Sequence, residues 1–255
     1  MALSKAKLKY IHSLEVKKIR KAEGVFLAEG PKLVGDLWGH FPCTLLVGTR
    51  EWLDKHPGNN ADEVICVDEE ELSRASLLRT PQQVLAVYRQ PKECIDANLP
   101  MHALCLALDN VQDPGNLGTI IRLADWFGIE HLFCSAGTAD AYSPKAIQAT
   151  MGGIARVQVH YVDLPNFIRQ LKDCPIYGTF LDGNPLYDEP LSQHGLIVMG
   201  NEGQGISPEI ESLVTSKLYI PNYPPLRPTS ESLNVAIATA VVCAEFRRRA
   251  SLQLG

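Results

Sequence analysis

Ile197-Val198-Met199-Gly200-Asn201-Glu202-Gly203-Gln204-Gly205-Ile206-Ser207 is the stretch on which the reading of this chain turns. An apolar run enters a glycine-rich turn that carries one acid, and Ser207-Pro208 then opens a helix. Downstream, Leu218-Tyr219-Ile220 forms another short β-type run. It leads through a proline-crowded loop to Ser232-Leu233-Asn234-Val235 and a final helix. Glycine allows close approach of backbone to a ligand, and the first amides of a helix have no partner within it. The pattern predicts a pocket walled by main chain.

Outward from this stretch, apolar strands alternate with helical patterns. Strands are expected at 103–108, 131–134, 156–159, 176–181, 196–199 and 218–220, and helices at 116–127, 144–151, 164–172, 208–213 and 233–249. Such alternation predicts an α/β architecture with a parallel sheet. The last helix is apolar almost all round through Val235, Ala236, Ile237, Ala238, Ala240, Val241 and Val242. A surface helix would show one stripe, so burial is expected, with a second subunit as one candidate cover.

The upstream partner of the opening stretch is Asp109-Asn110-Val111-Gln112-Asp113-Pro114-Gly115-Asn116-Leu117-Gly118-Thr119-Ile120-Ile121-Arg122. Asp113-Pro114-Gly115-Asn116 is turn chemistry that opens a helix. Asn116 lies near the helix start and Arg122 nearly two turns on. Spacing alone leaves two readings open: a guanidinium aimed into a cleft, or an exposed helix charge with Asn116 as a cap. Glu202 likewise reads as a pocket acid or as a cap for the helix at Ser207, and Ser232 and Asn234 as pocket groups or N-caps of the last helix.

Composition bounds the rest. The 255 residues suit two domains, with 45% hydrophobic and 21% charged residues as in ordinary globular proteins. No run is long and apolar enough for a membrane span, and the basic start lacks the apolar core of a secretory signal. Seven scattered cysteines, never spaced Cys-x-x-Cys, read as reduced thiols in a cytoplasmic protein, with no zinc site or disulfide frame expected. The seven histidines fall singly along the chain, which suggests no metal cage. Net charge is −5, yet Lys5, Lys7, Lys9, Lys17, Lys18, Arg20 and Lys21 face only Glu15 in the first 21 residues. Segregation of that kind marks either a solvated helix or a footprint for an anionic polymer.

Competing motifs fail. Gly203-Gln204-Gly205 follows a strand, but the third glycine of Gly-x-Gly-x-x-Gly is replaced by Pro208, and no acid follows at the expected distance. Phosphate-loop and serine-elbow patterns are absent.

Taken together, the three ordered runs resemble the SpoU, or TrmH-like, branch of the SPOUT superfamily of RNA 2′-O-ribose methyltransferases. Asp109–Gly118 with Arg122 is similar to the family's first motif, Gly200–Gly205 to its second, and Ile220-Pro221 with Ser232–Val235 to its third. Ser143-Pro144-Lys145 to Met151-Gly152-Gly153 also fits, and the resemblance covers roughly residues 102–249. It implies a C-terminal parallel-sheet domain closed by a deep trefoil knot, a rare exception to unthreaded chains. It further implies S-adenosylmethionine held by Thr179, Leu181, Gly200, Ile220 and Leu233, catalysis by Arg122, Asn116, Glu202, Ser232 and Asn234, and a homodimer formed through the C-terminal domain. Neither a metal nor a membrane enters that scheme. Arginine stays protonated, so Arg122 is expected to act as a cation toward a phosphate and a developing alkoxide, with Asn116, Glu202, Ser232 and Asn234 fixing the arrangement.

Residues 1–95 resemble the α/β substrate-binding domain fused to such enzymes, similar to ribosomal-protein folds, through basic residues before Phe26-Leu27-Ala28-Glu29-Gly30. Its presence favours ribosomal over transfer RNA as substrate, with Lys17, Lys18 and Lys21 as RNA contacts. The expected division is therefore 1–95 and 96–255, linked near 90–100. The loop 221–231 is longer and richer in proline than the family's usual one, and Tyr223 and Arg227 there are candidate RNA contacts. The alternative function is a non-catalytic RNA-binding or ribosome-assembly factor on the same fold.

Overall fold

A computed structural model describes residues 3–57, 60–92, 95–224, 230, 232–251 and the backbone of 252. Arg227 lies outside the described residues, as does most of the proline-rich loop. In chain order the elements are α1 (Lys5–Ser13), α2 (Lys17–Glu23), β1 (Val25–Glu29), α3 (Pro31–Leu37), β2 (Cys43–Thr49), α4 (Arg50–Lys55), β3 (Val64–Val67), α5 (Glu69–Ala75) and β4 (Val84–Arg89). There follow β5 (Leu104–Leu108), α6 (Pro114–Trp126), β6 (His131–Ser135), α7 (Pro144–Thr150), β7 (Gln158–Val162) and α8 (Leu164–Gln170). The chain closes with β8 (Ile176–Pro185), β9 (Gly195–Met199), α9 (Pro208–Glu211), β10 (Ser216–Tyr219) and α10 (Val235–Leu252).

One compact unit comprises Met1–Lys92 together with Asp140–Ala155. Its four-stranded sheet has the order β1-β4-β2-β3, antiparallel except for the β2–β3 pair. Leu27, Val47, Leu85 and Val87 from the strands meet Ile11, Leu14 and Leu72 from the helices in its core. The basic segment expected as one helix is two. α1 ends at Leu14, and the Arg20 guanidinium donates to the carbonyls of Leu14 and Glu15 at 2.7 Å each, satisfying groups at the break. Arg20 is only 2% exposed and also pairs with Asp140, so it is removed from the basic surface. The pair fastens 140–155 to this unit, where Tyr142 also packs on Phe26 with ring centroids 5.3 Å apart. Residues 140–155 thus pack with the N-terminal unit, although the expected division counted them with the C-terminal domain.

The other unit comprises Glu93–Ala139 and Arg156–Gly255. Its six-stranded sheet, ordered β10-β8-β9-β5-β6-β7, is parallel at every pairing. β5 and β9 are buried throughout, as strands covered on both faces must be. Cys105, Ala107, Phe133, Leu164, Phe167, Ile176, Leu196 and Val198 belong to its core. Strand order reverses beside β5: the chain first moves outward to β6 and β7, then returns to build β8, β9 and β10 on the other side. Ligands of open α/β sheets bind beyond the strands' carboxyl ends at such a reversal.

β8 outruns its expected end at 181 and carries a bulge. On β10, Lys217 pairs with Gly178 and the next residue, Leu218, with Asn184. Thr179–Gly183 therefore bow out between two paired stretches, and β9 reaches only as far as Gly178. The last helix is not buried all round: Val242, Cys243 and Phe246 are covered, while Ile237 is 56% exposed. The histidines do not all stand alone in space. His131 Nδ1 lies 3.2 Å from His160 Nε2 with the two rings stacked, and His160 also stacks on Phe133. Neighbouring parallel strands in register, His131 on β6 and Gln158 on β7, bring them together.

Candidate active site

The carboxyl ends of β5, β8, β9 and β10 supply the site. β9 stops at Met199, and the loop after it closes on itself: Asn201 and Gly205 exchange backbone hydrogen bonds of 2.9 Å in both directions. Gly200 is packed so tightly that a Cβ would fall 2.2 Å from the Gly205 carbonyl carbon, and Gly205 itself has φ +71°. Backbone excludes a side chain at Gly200, whereas at Gly205 only the left-handed φ disfavours one. Asn201 shapes the turn from inside. Its Oδ1 accepts from the amides of Gly203 (2.9 Å) and Gln204 (3.0 Å), and its Nδ2 donates to the Asn110 carbonyl (2.7 Å).

Three segments far apart in sequence are linked through Glu202 and Asn116. Asn116 Nδ2 donates to Glu202 Oε1 at 2.9 Å, and the amides of Gln112 and Asp113 approach the same carboxylate at 3.3 and 3.4 Å. Asn234 Nδ2 donates to Asn116 Oδ1 at 3.0 Å. Partial burial pushes the Glu202 carboxyl up, but the bonds from Asn116 and the two amides outweigh it and hold its pKa below the usual carboxylate value. Asn116 is not the cap of α6; Asp113 is, accepting from the Asn116 amide at 2.9 Å, which frees the Asn116 side chain for its two partners. Asn234 does both things the sequence allowed. Its Oδ1 caps α10 through the amides of Ala236 and Ile237, and its Nδ2 joins the network. Glu202 does not cap the helix at Ser207. That amide goes to Asp109 Oδ2 at 2.7 Å.

Other expected residues sit less tightly bound. Arg122 is exposed on α6 and forms no ion pair or hydrogen bond among the described residues. Ser232 is exposed and has no partner among them either, so contacts join three of the five candidate catalytic groups, Asn116, Glu202 and Asn234. Thr179 and Leu181 lie in the β8 bulge; the Thr179 hydroxyl approaches Met199 Sδ at 3.9 Å, and Leu181 is 71% exposed. Gly200 is buried, Ile220 half-buried just past β10, and Leu233 50% exposed just before α10. Of the glycines in this loop, Gly200 is closed in by the backbone of Gly205 and Ile206, while Gly203 and Gly205 have room around them. Among the described residues no three His, Cys, Asp or Glu side chains are placed to hold a metal. Asp109 binds Ser207 and Asn201 binds Asn110, each more than ninety residues away in sequence, so only folding reveals what these side chains hold.

Residues 103–244 match the model of the SpoU rRNA Methylase family. The chain belongs to that family. Residues 5–86 match the MRM3-like substrate binding domain. Among relatives of this SpoU chain, the 23S rRNA (guanosine(2553)-2′-O)-methyltransferase RlmP of Bacillus subtilis is 32% identical over 246 residues, covering 94% of this chain and 96% of that one. A putative RNA methyltransferase of the TrmH family from Porphyromonas gingivalis has a solved structure with 42% identity and a TM-score of 0.85, covering 98% and 100% of the two chains. An AdoMet-bound rRNA methyltransferase from Sinorhizobium meliloti shows 29% identity and a TM-score of 0.84 over 98% and 97%. These likenesses bear out the family and the α/β parallel-sheet fold read from the motifs.

Proposed function

We propose that this SpoU family chain transfers a methyl group from S-adenosylmethionine to a ribose 2′-hydroxyl of structured RNA, with ribosomal RNA favoured over transfer RNA. The observation that carries the reading is the Glu202 carboxylate, which joins all three motif runs through Asn116 and Asn234. Support also comes from the relatives: the Bacillus subtilis protein is named for 2′-O-methylation of 23S rRNA, and the Sinorhizobium meliloti structure holds AdoMet. The deep trefoil knot belongs to the same reading.

The donor supplies an electrophilic methyl group when bound. Gly200, Ile220 and Leu233, with Thr179 and Leu181 from the bulge, would hold it through main-chain and apolar contacts. Glu202 holds Asn116, and Asn116 in turn takes the Asn234 amide; this fixes two amide side chains beside the loop without ordering cost at the moment of reaction. Arg122 serves as a permanent cation that binds the phosphate next to the target ribose and stabilises the developing alkoxide, while the phosphate or water takes the proton. Ser232 would complete the hydroxyl's surroundings.

The dimer is part of the proposal. Arg122 and Trp126 are four apart on α6 and so share a stripe, with Trp126 83% exposed. Ile237, Val241 and Ala244 line the uncovered side of neighbouring α10, Ile237 and Ala244 being exposed. A second copy covering this apolar surface would place Arg122 at a boundary shared by two subunits. In the N-terminal unit, Lys17, Lys18 and Lys21 are exposed and unpaired among the described residues, as are Lys5 and Lys9, whereas Lys7 pairs with Glu63. They suit RNA phosphates. The six described cysteines are free, and a cytoplasmic setting is part of the same reading.

The test is to incubate the protein with methyl-labelled S-adenosylmethionine and ribosomal RNA, then map resistance of ribose positions to alkaline cleavage. Label at one discrete 2′-oxygen is expected. Tight RNA binding without donor binding or label would instead make the chain a non-catalytic assembly factor.

A further inference from the structure

Asp109 follows β5 directly and is 2% exposed, yet no cation pairs with it among the described residues. A buried carboxylate without a countercharge is costly, and a neutral side chain would fill the space at less expense. Both of its oxygens are in use. Oδ1 accepts from Asn110 Nδ2 at 2.8 Å, and Oδ2 accepts from the Ser207 amide at 2.7 Å. Its own amide donates to the Met199 carbonyl at 2.9 Å, so the residue is laddered to the end of β9.

Ser207 is the far stem of the glycine loop, and the near stem is held from the same place. Asn201 Nδ2 donates to the Asn110 carbonyl. The Asp109-Asn110 pair therefore grips both ends of 201–207. Asn110 is itself set at φ +57°, with its amide on Ser135 Oγ at 2.9 Å. Ser135 in turn lies 3.2 Å from Thr138 Oγ1, which donates to the Leu108 carbonyl at 3.1 Å. The loop is thus referenced to β5 and β6, the same strands that deliver and receive α6 with Asn116.

We propose that Asp109 is a positioning residue for the methyl donor: by holding the Ser207 amide it keeps the Gly200–Gly205 main chain in the shape that binds S-adenosylmethionine. This rests on the function proposed above. Asp109→Asn leaves one accepting oxygen and puts an NH2 group against one of the two donors, Asn110 Nδ2 or the Ser207 amide. The double exchange Asp109→Asn with Asn110→Asp restores one donor and one acceptor to the pair and leaves the total charge unchanged.

Calorimetry with S-adenosylmethionine on the full chain, beside thermal melts, tests it. The single variant is expected to weaken donor binding about tenfold or more, and the double variant to recover to within about threefold of the parent. Donor binding unchanged in Asp109→Asn overturns the proposal, even with a lowered melting temperature, because the carboxylate would then serve the fold alone. A double variant that folds but binds weakly, or that does not fold, overturns it as well. If the single variant does not fold, the double variant decides by the same criterion. A parent that binds no S-adenosylmethionine sinks the function instead, and so is told apart.

Discussion

Glu202 shows how much one exposed side chain can organise. Partial burial raises its pKa, but accepting from Asn116 and two amides favours the ionised form more strongly, so its pKa is lowered in the fold. For a depressed acid, the contribution is complete above the ordinary carboxylate pKa and fades as pH falls through the folded value. Glu202→Gln should therefore reduce methyl transfer at neutral pH while abolishing this acid-side dependence of stability, measured by melts from pH 7 to 3. Arg122→Ala should lower kcat by about a hundred- to a thousand-fold with the melting temperature little changed, since the side chain touches nothing described. Near-parental turnover would remove the guanidinium from the chemistry. Spacing alone left capping and pocket readings of Asn116, Glu202 and Asn234 both open, and only the resemblance of the three runs singled these residues out. Asp109 and Asn201 carried no assigned role, and their hydrogen bonds, spanning 98 and 91 residues, exist only in the fold.

Among the elements, α10 was foreseen in position but not in environment. Its composition cannot tell a helix covered all round from one with an open side; only the covering by α6 of one flank and the exposure of Ile237 on the other do. Ile237→Asp should convert a dimer to a monomer in light scattering while far-UV dichroism stays native, and an undisturbed dimer would place the interface elsewhere. The α1–α2 break was equally hidden, since Arg20 reads in sequence as one more basic residue of a helix. Its burial against Asp140 means that Asp140→Ala leaves a guanidinium without its counter-ion, at about 3–5 kcal/mol. Chemical denaturation should show the loss. The β8 bulge had no sequence signal beyond Gly183, as register depends on which strand arrives alongside.

Taken as a whole molecule, the chain is acidic, yet its first 21 residues hold seven lysines and arginines against one glutamate. Neutralising Lys17, Lys18 and Lys21 together should weaken RNA binding and reduce the salt slope by roughly 2 to 3; identical slopes would exclude these residues from the interface. Stability should also respond to mild acid. Burial lowers the pKa of His131 and His160, partly opposed at His131 by Glu130 and Asp96, and His131 adds to the lowering at His160. Groups kept neutral in the fold cost stability as pH falls below the unfolded histidine value near 6.5, so melting temperature should drop from pH 7 to 5. His160→Phe should flatten that profile.

The detour in β8 carries a consequence for changes of length rather than of side chain. The five residues 179–183 form a hoop whose two feet are stitched to adjacent residues of β10. Its circumference is set by residue number. Removing a single residue would force Asn184 and Pro185 to exchange sides of the pleat, or shrink the opening through which a ligand would reach the backbone. Indels in this hoop should therefore be far less tolerated than substitutions at its exposed tip, such as at Leu181.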